Sequence, residues 1–171
     1  MDLANVIAAV PDFPRPGILF RDITPVFQDP RAYDAAIAGL ADLLAPVAFD
    51  ALAAVESRGF LLGGPLALRL EKGLVLIRKA GKLPRATRQA SYALEYGEAT
   101  VEMHDDACRP GQRVVVLDDL LATGGTAAAA AQLVRASGAE VAAYLFLVEL
   151  AGLAGRRQLD GAPVFSLVVY P

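Results

Sequence analysis

The sequence predicts an α/β fold, with a parallel sheet covered by helices on both faces to give three layers. Short runs rich in Val, Leu and Ala recur between longer segments with the apolar spacing of helices. Strands that alternate with helices form parallel sheets, and such strands are apolar throughout because helices cover both of their faces. The 171 residues suffice to bury a core, so we expect a single domain over residues 1–171.

The predicted elements begin with a short amphipathic helix over residues 3–10, which ends at Pro11. Residues 11–16 are predicted to be irregular, because proline lacks an amide donor and restricts the residue before it. The later elements are a helix over 31–44, strands over 51–55 and 73–77 around a helix over 60–70, a hairpin over 89–94 and 99–104, a strand over 113–117, a helix over 127–137, and strands over 141–148 and 164–169 around a helical turn over 153–159.

The segment VVVLDDLLATGGT, residues 114–126, is the most informative part of the chain. Its apolar run ends in Asp118 and Asp119, and a loop of Gly and Thr then leads into a predicted helix. Free amides in such a loop and at a helix start bind anions, whereas the two carboxylates accept hydrogen bonds from hydroxyl groups. A ribose phosphate offers both kinds of group.

This segment resembles the loop of type I phosphoribosyltransferases that binds phosphoribosyl pyrophosphate (PRPP). The resemblance implies that Asp118 and Asp119 hold the ribose hydroxyls. It also implies that the monoester phosphate is bound by Ala122, Thr123, Gly124, Gly125 and Thr126. The alternative is an ordinary strand-to-helix turn, capped by Thr123 or Thr126 and followed by two solvated carboxylates.

A second strand-to-helix loop carries Glu56, Ser57 and Arg58. Taken alone it indicates a helix cap at Ser57, although an arginine also binds phosphate oxygens through two donors. Together with the first motif it resembles the family's pyrophosphate loop, and the implied pyrophosphate site is Ser57, Arg58, Lys79 and Lys82. Ligands bind beyond the carboxyl ends of parallel strands, so we expect Glu56, Arg78 and Asp118 to converge there.

The stiff segment FPRPGILFRDITP, residues 13–25, resembles the hood that recognises the base in the adenine-specific members of this family. The resemblance implies a hood over about residues 11–27 and an adenine site made of Leu19, Phe20, Arg21 and Leu150. In that site Phe20 stacks on the base, Leu150 forms the opposite wall, and the backbone at 19 and 21 contacts the base edge. The alternatives are an arm packed on the core and a core leucine.

The segment SYALEYG, residues 91–97, resembles the loop that closes over the reactants in this family. The resemblance implies a flexible β-hairpin loop over about residues 84–104, with Glu95 as the catalytic acid/base. A purine that attacks the anomeric carbon must lose a proton, which a carboxylate can accept. The alternative for Glu95 is an exposed acid at a hairpin tip. No motif pairs His104 with Cys108, and we interpret both as structural.

Taken together, the resemblances imply conversion of adenine and PRPP to AMP and pyrophosphate, a purine salvage reaction. Mg²⁺ is expected as a cofactor carried mainly by PRPP or pyrophosphate, with no protein residue assigned as its ligand. A transferase for another purine (xanthine or hypoxanthine) and a non-catalytic sensor of PRPP or nucleotides remain alternatives. The family also implies a homodimer.

The composition limits which binding partners and which cellular compartment are expected. A net charge of −3 argues against a nucleic-acid partner. No apolar run reaches the roughly 20 residues of a membrane span, and the first residues lack the features of a secretion signal. The single cysteine excludes an intrachain disulfide. We therefore expect a cytoplasmic enzyme without a membrane partner.

Overall fold

A seven-stranded sheet forms the centre of the computed structural model, which describes residues 1–93 and 97–171. The strand order is β5-β6-β4-β3-β7-β8-β9. These strands are β3 (Ala51–Val55), β4 (Gly73–Lys79), β5 (Thr87–Ala93), β6 (Glu98–His104), β7 (Arg113–Leu121), β8 (Glu140–Leu150) and β9 (Val164–Tyr170). Five of them, β4, β3, β7, β8 and β9, are parallel to one another. Strand β6 is antiparallel to both of its neighbours, β4 and β5. The predicted α/β class is confirmed.

Helices lie on both faces of the sheet and produce two cores. Helices α2 (Pro30–Leu44) and α3 (Arg58–Leu70) pack on one face, and helix α4 (Gly125–Ala136) packs on the other. Successive residues of β3 alternate between these cores, with Leu52 in the first and Ala53 in the second. This alternation explains why the central strands are apolar throughout, and it confirms the three layers.

The helix predicted over residues 3–10 is wrong. Only Leu3–Asn5 form a 3₁₀ turn, in which the Asp2 carboxylate accepts a hydrogen bond from the amide of Ala4 at 3.0 Å. The chain then forms strand β1 (Ala8–Pro11), antiparallel to β2 (Leu19–Asp22). Pairing across this two-stranded sheet overrides the helical spacing, and Pro11 is tolerated because it ends an edge strand.

Several other boundaries differ from the predicted ones. Strand β7 continues four residues beyond 117, because its neighbour β8 keeps pairing with it as far as Leu121. The predicted hairpin also belongs to the main sheet, because β6 pairs with β4. A short helix α1 (Thr24–Gln28) was missed, and the turn over 153–159 is two 3₁₀ segments, Ala151–Leu153 and Gly155–Gln158. In the described parts of the chain, every helix is too short or too polar to cross a membrane.

Candidate active site

The carboxyl ends of β3, β4 and β7 border an open cleft of about 680 Å³, which we call the main cleft. Its lining comes from separate parts of the sequence that the parallel sheet brings to one edge. The lining residues are Glu56, Ser57, Arg58, Lys79, Lys82, Tyr92, Asp118, Asp119, Leu120, Ala122 and Thr126. Glu56 and Asp118 therefore meet in this cleft, and Arg78 contacts Glu56. Tyr92 was missed as a candidate, although it belongs to the SYALEYG segment.

Asp118 and Asp119 are buried rather than solvated, with 9% and 7% of their surface exposed. The Arg58 Nε donates to Asp119 Oδ2 at 2.6 Å, and the amide of Asp119 donates to Asp118 Oδ1 at 2.9 Å. Burial raises the pKa of Asp118 well above its ordinary value, and the neighbouring charge of Asp119 raises it further. The alternative of two solvated carboxylates is wrong, because they lie inside β7 and not beyond its end.

The loop from β7 into α4, residues 122–126, is named the glycine loop. Gly124 has a positive φ of 88° and stands at the start of α4, where no side chain caps the helix. The alternative of a cap from Thr123 or Thr126 is therefore wrong: Thr126 Oγ1 instead donates to the hydroxyl of Tyr92 at 3.0 Å. The first amides of a helix have no partner within it, so they are available to bind an anion.

Close backbone contacts explain the glycines of this loop. A Cβ on Gly124 would overlap the carbonyl oxygen of Gly155, and a Cβ on Gly155 would overlap that of Ala122. A Cβ on Gly125 would lie 3.0 Å from the ring of Tyr92. The 3₁₀ segment Gly155–Gln158 and strand β5 thus contact the glycine loop from two sides.

The main cleft also has cationic lining residues, Arg58, Lys79 and Lys82. The loop Glu56-Ser57-Arg58, named the charged loop, ends β3 and begins α3, and the peptide bond between Glu56 and Ser57 is cis. Ser57 makes no side-chain cap. Burial alone would raise the pKa of Glu56, but hydrogen bonds from the Lys79 amide and from Arg78, at 3.0 Å, bring it below its usual value.

The predicted adenine residues do not all share one surface. Leu19, Arg21 and Leu150 line a cavity of about 440 Å³, where the Arg21 guanidinium lies 3.9 Å from the Tyr170 ring centroid. Residues 19 and 21 share one face of β2, so Phe20 points to the other face. There its ring packs edge-on against Phe13, with 5.1 Å between the centroids.

Three remaining candidates have simpler outcomes. Glu95 lies outside the described residues. Cys108 is buried, its thiol lies 3.9 Å from the Met103 sulfur, and burial raises its pKa. His104 Nε2 is buried without a partner in the described parts of the chain. Within those same parts, no group of three or more His, Cys, Asp or Glu side chains is arranged to hold a metal.

Comparison with known proteins agrees with this geometry. A family model described as "Phosphoribosyl transferase domain" matches residues 29–168. The adenine phosphoribosyltransferase of a Synechococcus species is 51% identical over 170 residues, covering 99% of both chains. That of Sorangium cellulosum is 55% identical over 164 residues, covering 93% of this chain and 82% of its own.

Solved structures of the same group superpose closely. Adenine phosphoribosyltransferase from Thermoanaerobacter pseudethanolicus has a TM-score of 0.96 at 50% identity, covering 99% of this chain and 98% of its own. The Saccharomyces cerevisiae enzyme, complexed with an imino-altritol bisphosphate and adenine, has a TM-score of 0.91 at 42% identity, covering 97% and 96%. This chain therefore belongs to the adenine phosphoribosyltransferase family.

Proposed function

We propose that this chain transfers the phosphoribosyl group of PRPP to adenine and releases AMP and pyrophosphate, in purine salvage. One observation carries the proposal: a buried acid pair, a glycine loop and several cations line the same cleft. A ribose that bears phosphates at both ends needs all three. Relatives about 50% identical over nearly the whole chain carry the name adenine phosphoribosyltransferase.

The pyrophosphate end of the substrate is assigned to Ser57, Arg58, Lys79 and Lys82, which all line the main cleft. Cations at this end stabilise the negative charge that develops on the departing pyrophosphate. Asp119 takes only the Nε–H of Arg58, and the guanidinium has four further N–H donors that can bind phosphate oxygens. The guanidinium then serves the leaving group when substrate is present.

The ribose and its monoester phosphate are assigned to Asp118, Asp119 and the glycine loop. Carboxylates accept hydrogen bonds from the ribose hydroxyls. The backbone amides of the glycine loop hold the phosphate without any cationic side chain. The sugar is thus anchored at both ends while its anomeric carbon reacts.

The base is assigned to Leu19, Phe20, Arg21 and Leu150. The proposed sandwich needs Phe20 and Leu150 on opposite faces of the adenine ring. Leu150 lines the 440 Å³ cavity, whereas the Phe20 ring packs edge-on against Phe13. Glu95 is proposed to accept the purine proton, and the loop that carries it to exclude water during the reaction.

Mg²⁺ is proposed as a cofactor that arrives with PRPP or pyrophosphate. The donor set fits this route, because Asp119 is paired with Arg58 and burial favours the neutral form of Asp118. When bound, the ion neutralises charge on the pyrophosphate oxygens. We therefore assign no residue of the chain as its direct ligand.

The first test is the initial rate of nucleoside monophosphate formation from PRPP and Mg²⁺ with adenine, hypoxanthine, guanine or xanthine. Selective formation of AMP is the expected result. Turnover with another base would keep the reaction and overturn the assignment to adenine. Binding of PRPP with no turnover on any base would favour the sensor.

Replacement of Glu95 by glutamine tests the proposed proton acceptor. We expect the turnover number to fall about a hundredfold, because general-base catalysis is lost, while PRPP affinity stays unchanged. Glu98→Gln, an exposed acid of the same hairpin, is the matched control and should keep the wild-type rate. An unchanged turnover number in Glu95→Gln would remove this residue from the mechanism.

A homodimer is also proposed, with a second copy of the chain covering an exposed apolar surface beside α3 and β4. Leu61 and Leu68 on α3 are 48% and 84% exposed, and Leu74 and Leu76 on β4 are 36% and 39% exposed. Exposed apolar side chains of this size commonly mark interfaces. A stable, active monomer in light scattering would contradict the dimer. The cytoplasmic location and the hood and loop boundaries remain predictions.

A further inference from the structure

Glu102 is a buried carboxylate that accepts hydrogen bonds from backbone amides and, among the residues that the structure describes, pairs with no cationic side chain. It lies on β6, is 2% exposed, and accepts hydrogen bonds at Oε1 from the amides of Lys82 and Leu83, both at 2.8 Å. Its Oε2 accepts weaker bonds from Thr87 and Gln89, both at 3.3 Å. Burial alone would raise its pKa, but these donors and the Gly81 amide lower it to about 2. The carboxylate therefore stays charged at neutral pH.

The residues it binds form the basic turn, residues 79–83, which carries two of the proposed pyrophosphate ligands. Lys79 and Lys82 line the main cleft, and the turn follows the end of β4. Arg78 holds the same turn from the other side, because its Nη1 donates to the carbonyl oxygen of Lys82 at 3.1 Å. Arg78 and Glu102 are also register partners across β4 and β6.

The backbone of residue 82 is thus held at both its amide and its carbonyl by charged side chains, Glu102 and Arg78. Hydrogen bonds to charged groups are about twice as strong as neutral ones. This arrangement has an electrostatic disadvantage, because a carboxylate beside two lysines weakens the positive potential that attracts a polyanion. Glu102 has the same sign of charge as pyrophosphate and therefore repels it, yet it binds the basic turn. Its role is therefore geometric.

We propose that Glu102 is a positioning residue, which fixes the basic turn so that Lys79 and Lys82 point into the main cleft for pyrophosphate. This inference rests on the proposed function. It predicts that loss of Glu102 weakens binding of pyrophosphate although the site becomes more positive. A residue acting only through its charge would have the opposite effect.

The test is calorimetric titration of wild type and Glu102→Gln with pyrophosphate in magnesium buffer and, separately, with AMP. Glutamine has nearly the same shape, but it has one acceptor oxygen and adds donors that face Thr87 and Gln89. We expect pyrophosphate to bind about tenfold more weakly, a loss of about 1.4 kcal/mol, and AMP to bind within about twofold of wild type.

Two further variants keep the test decisive. Arg78→Lys keeps the positive charge at this partly exposed position, but it loses the planar fork that binds both Glu56 and the carbonyl of residue 82. It should reproduce the selective loss of pyrophosphate affinity even if Glu102→Gln fails to fold. Glu149→Gln is the matched control: it removes another buried carboxylate, 5% exposed and paired with Arg156 at 2.6 Å beside Leu150. Its pyrophosphate affinity should remain that of wild type.

Tighter pyrophosphate binding in Glu102→Gln would overturn the proposal, as would equal losses for pyrophosphate and AMP, which would indicate a general disturbance of the fold. Unchanged pyrophosphate affinity in both Glu102→Gln and Arg78→Lys would overturn it too. Wild-type protein that binds neither ligand would instead contradict the proposed function itself.

Discussion

The charged loop and the glycine loop occupy equivalent positions, each at the carboxyl end of a central strand and at the start of a helix, but they are built differently. In the charged loop the side chains are already engaged, Glu56 with Arg78 and Arg58 with Asp119. The glycine loop contains no ionisable side chain, and its shape depends on backbone contacts with Gly155 and on the ring of Tyr92.

This difference separates two ways of binding a phosphate. A side-chain cation such as Arg58 is already paired with a carboxylate of the protein, and this pair reduces the positive charge that it offers to a phosphate. Backbone amides at a helix start carry no such ion pair, but they work only if the chain follows one path. We therefore expect the charged loop to tolerate changes of shape and the glycine loop to tolerate almost none.

The largest effect is expected from Gly124→Ala. The residue has a φ of 88°, which costs a side chain about 1–3 kcal/mol, and its Cβ would also overlap the Gly155 carbonyl. We expect AMP affinity to fall at least about a hundredfold, because the loop must move away from the phosphate. Titration with AMP, together with thermal unfolding, measures both consequences.

Gly64→Ala supplies the control, since Gly64 lies in α3 and a Cβ there would meet nothing within 4 Å. Alanine is favoured over glycine inside a helix by about 0.5–1 kcal/mol, so this variant should be slightly more stable with normal AMP affinity. Equal AMP affinities for Gly124→Ala and Gly64→Ala would show that phosphate binding does not depend on one fixed path of the glycine loop.

A smaller effect is expected from Arg58→Gln, which removes a cation from the charged loop and leaves Asp119 without its partner. We expect kcat/KM for PRPP to fall about ten- to a hundredfold, as for loss of a charge-assisted hydrogen bond. Arg69→Gln is the control on the same helix: its pair with Asp34 is exposed, and such pairs contribute little. A loss in Arg69→Gln as large as that in Arg58→Gln would assign the effect to α3 rather than to the cleft.

The smallest effect concerns stability and follows from the raised pKa of Asp118. An acid with a raised pKa in the folded state destabilises the fold once pH rises above its ordinary value of 3.8. Asp118→Asn should therefore match wild type in unfolding free energy near pH 3 and exceed it by about 1–2 kcal/mol at pH 7, while losing activity. Denaturant unfolding at both pH values checks this; a gap that shrinks as pH rises would contradict it.

The sequence predicted the architecture well where local and global signals agree. The apolar runs of the central strands and the order of strand, acid pair, loop and helix indicated the sheet edge at which the main cleft lies. The end of β7 was misplaced because polarity suggested that the strand stops at Asp118, whereas pairing with β8 continues. The N-terminal error has the same cause, since β1 exists only through its pairing with β2.

Within the candidate site, motifs identified the cations and the glycine loop but not the groups that hold them in place. Glu102 and Tyr92 act through contacts with residues distant in sequence, Lys82 and Thr126 respectively. Neither contact leaves a signal in spacing or composition. The opposite orientations of Phe20 and Leu19 follow from strand β2, which lies in the hood segment, where no strand was predicted.

The contact between Gly155 and the glycine loop has a consequence for protein engineering. The 3₁₀ segment that bears Gly155, Gly155–Gln158, lies shortly after Leu150, a wall of the proposed base site, and its backbone contacts Ala122 and Gly124. Libraries that vary this segment to change base preference will also move the phosphate-binding backbone. Selections for a new base should therefore keep Gly155 fixed and place diversity in the hood, where β2 can change without touching the phosphate.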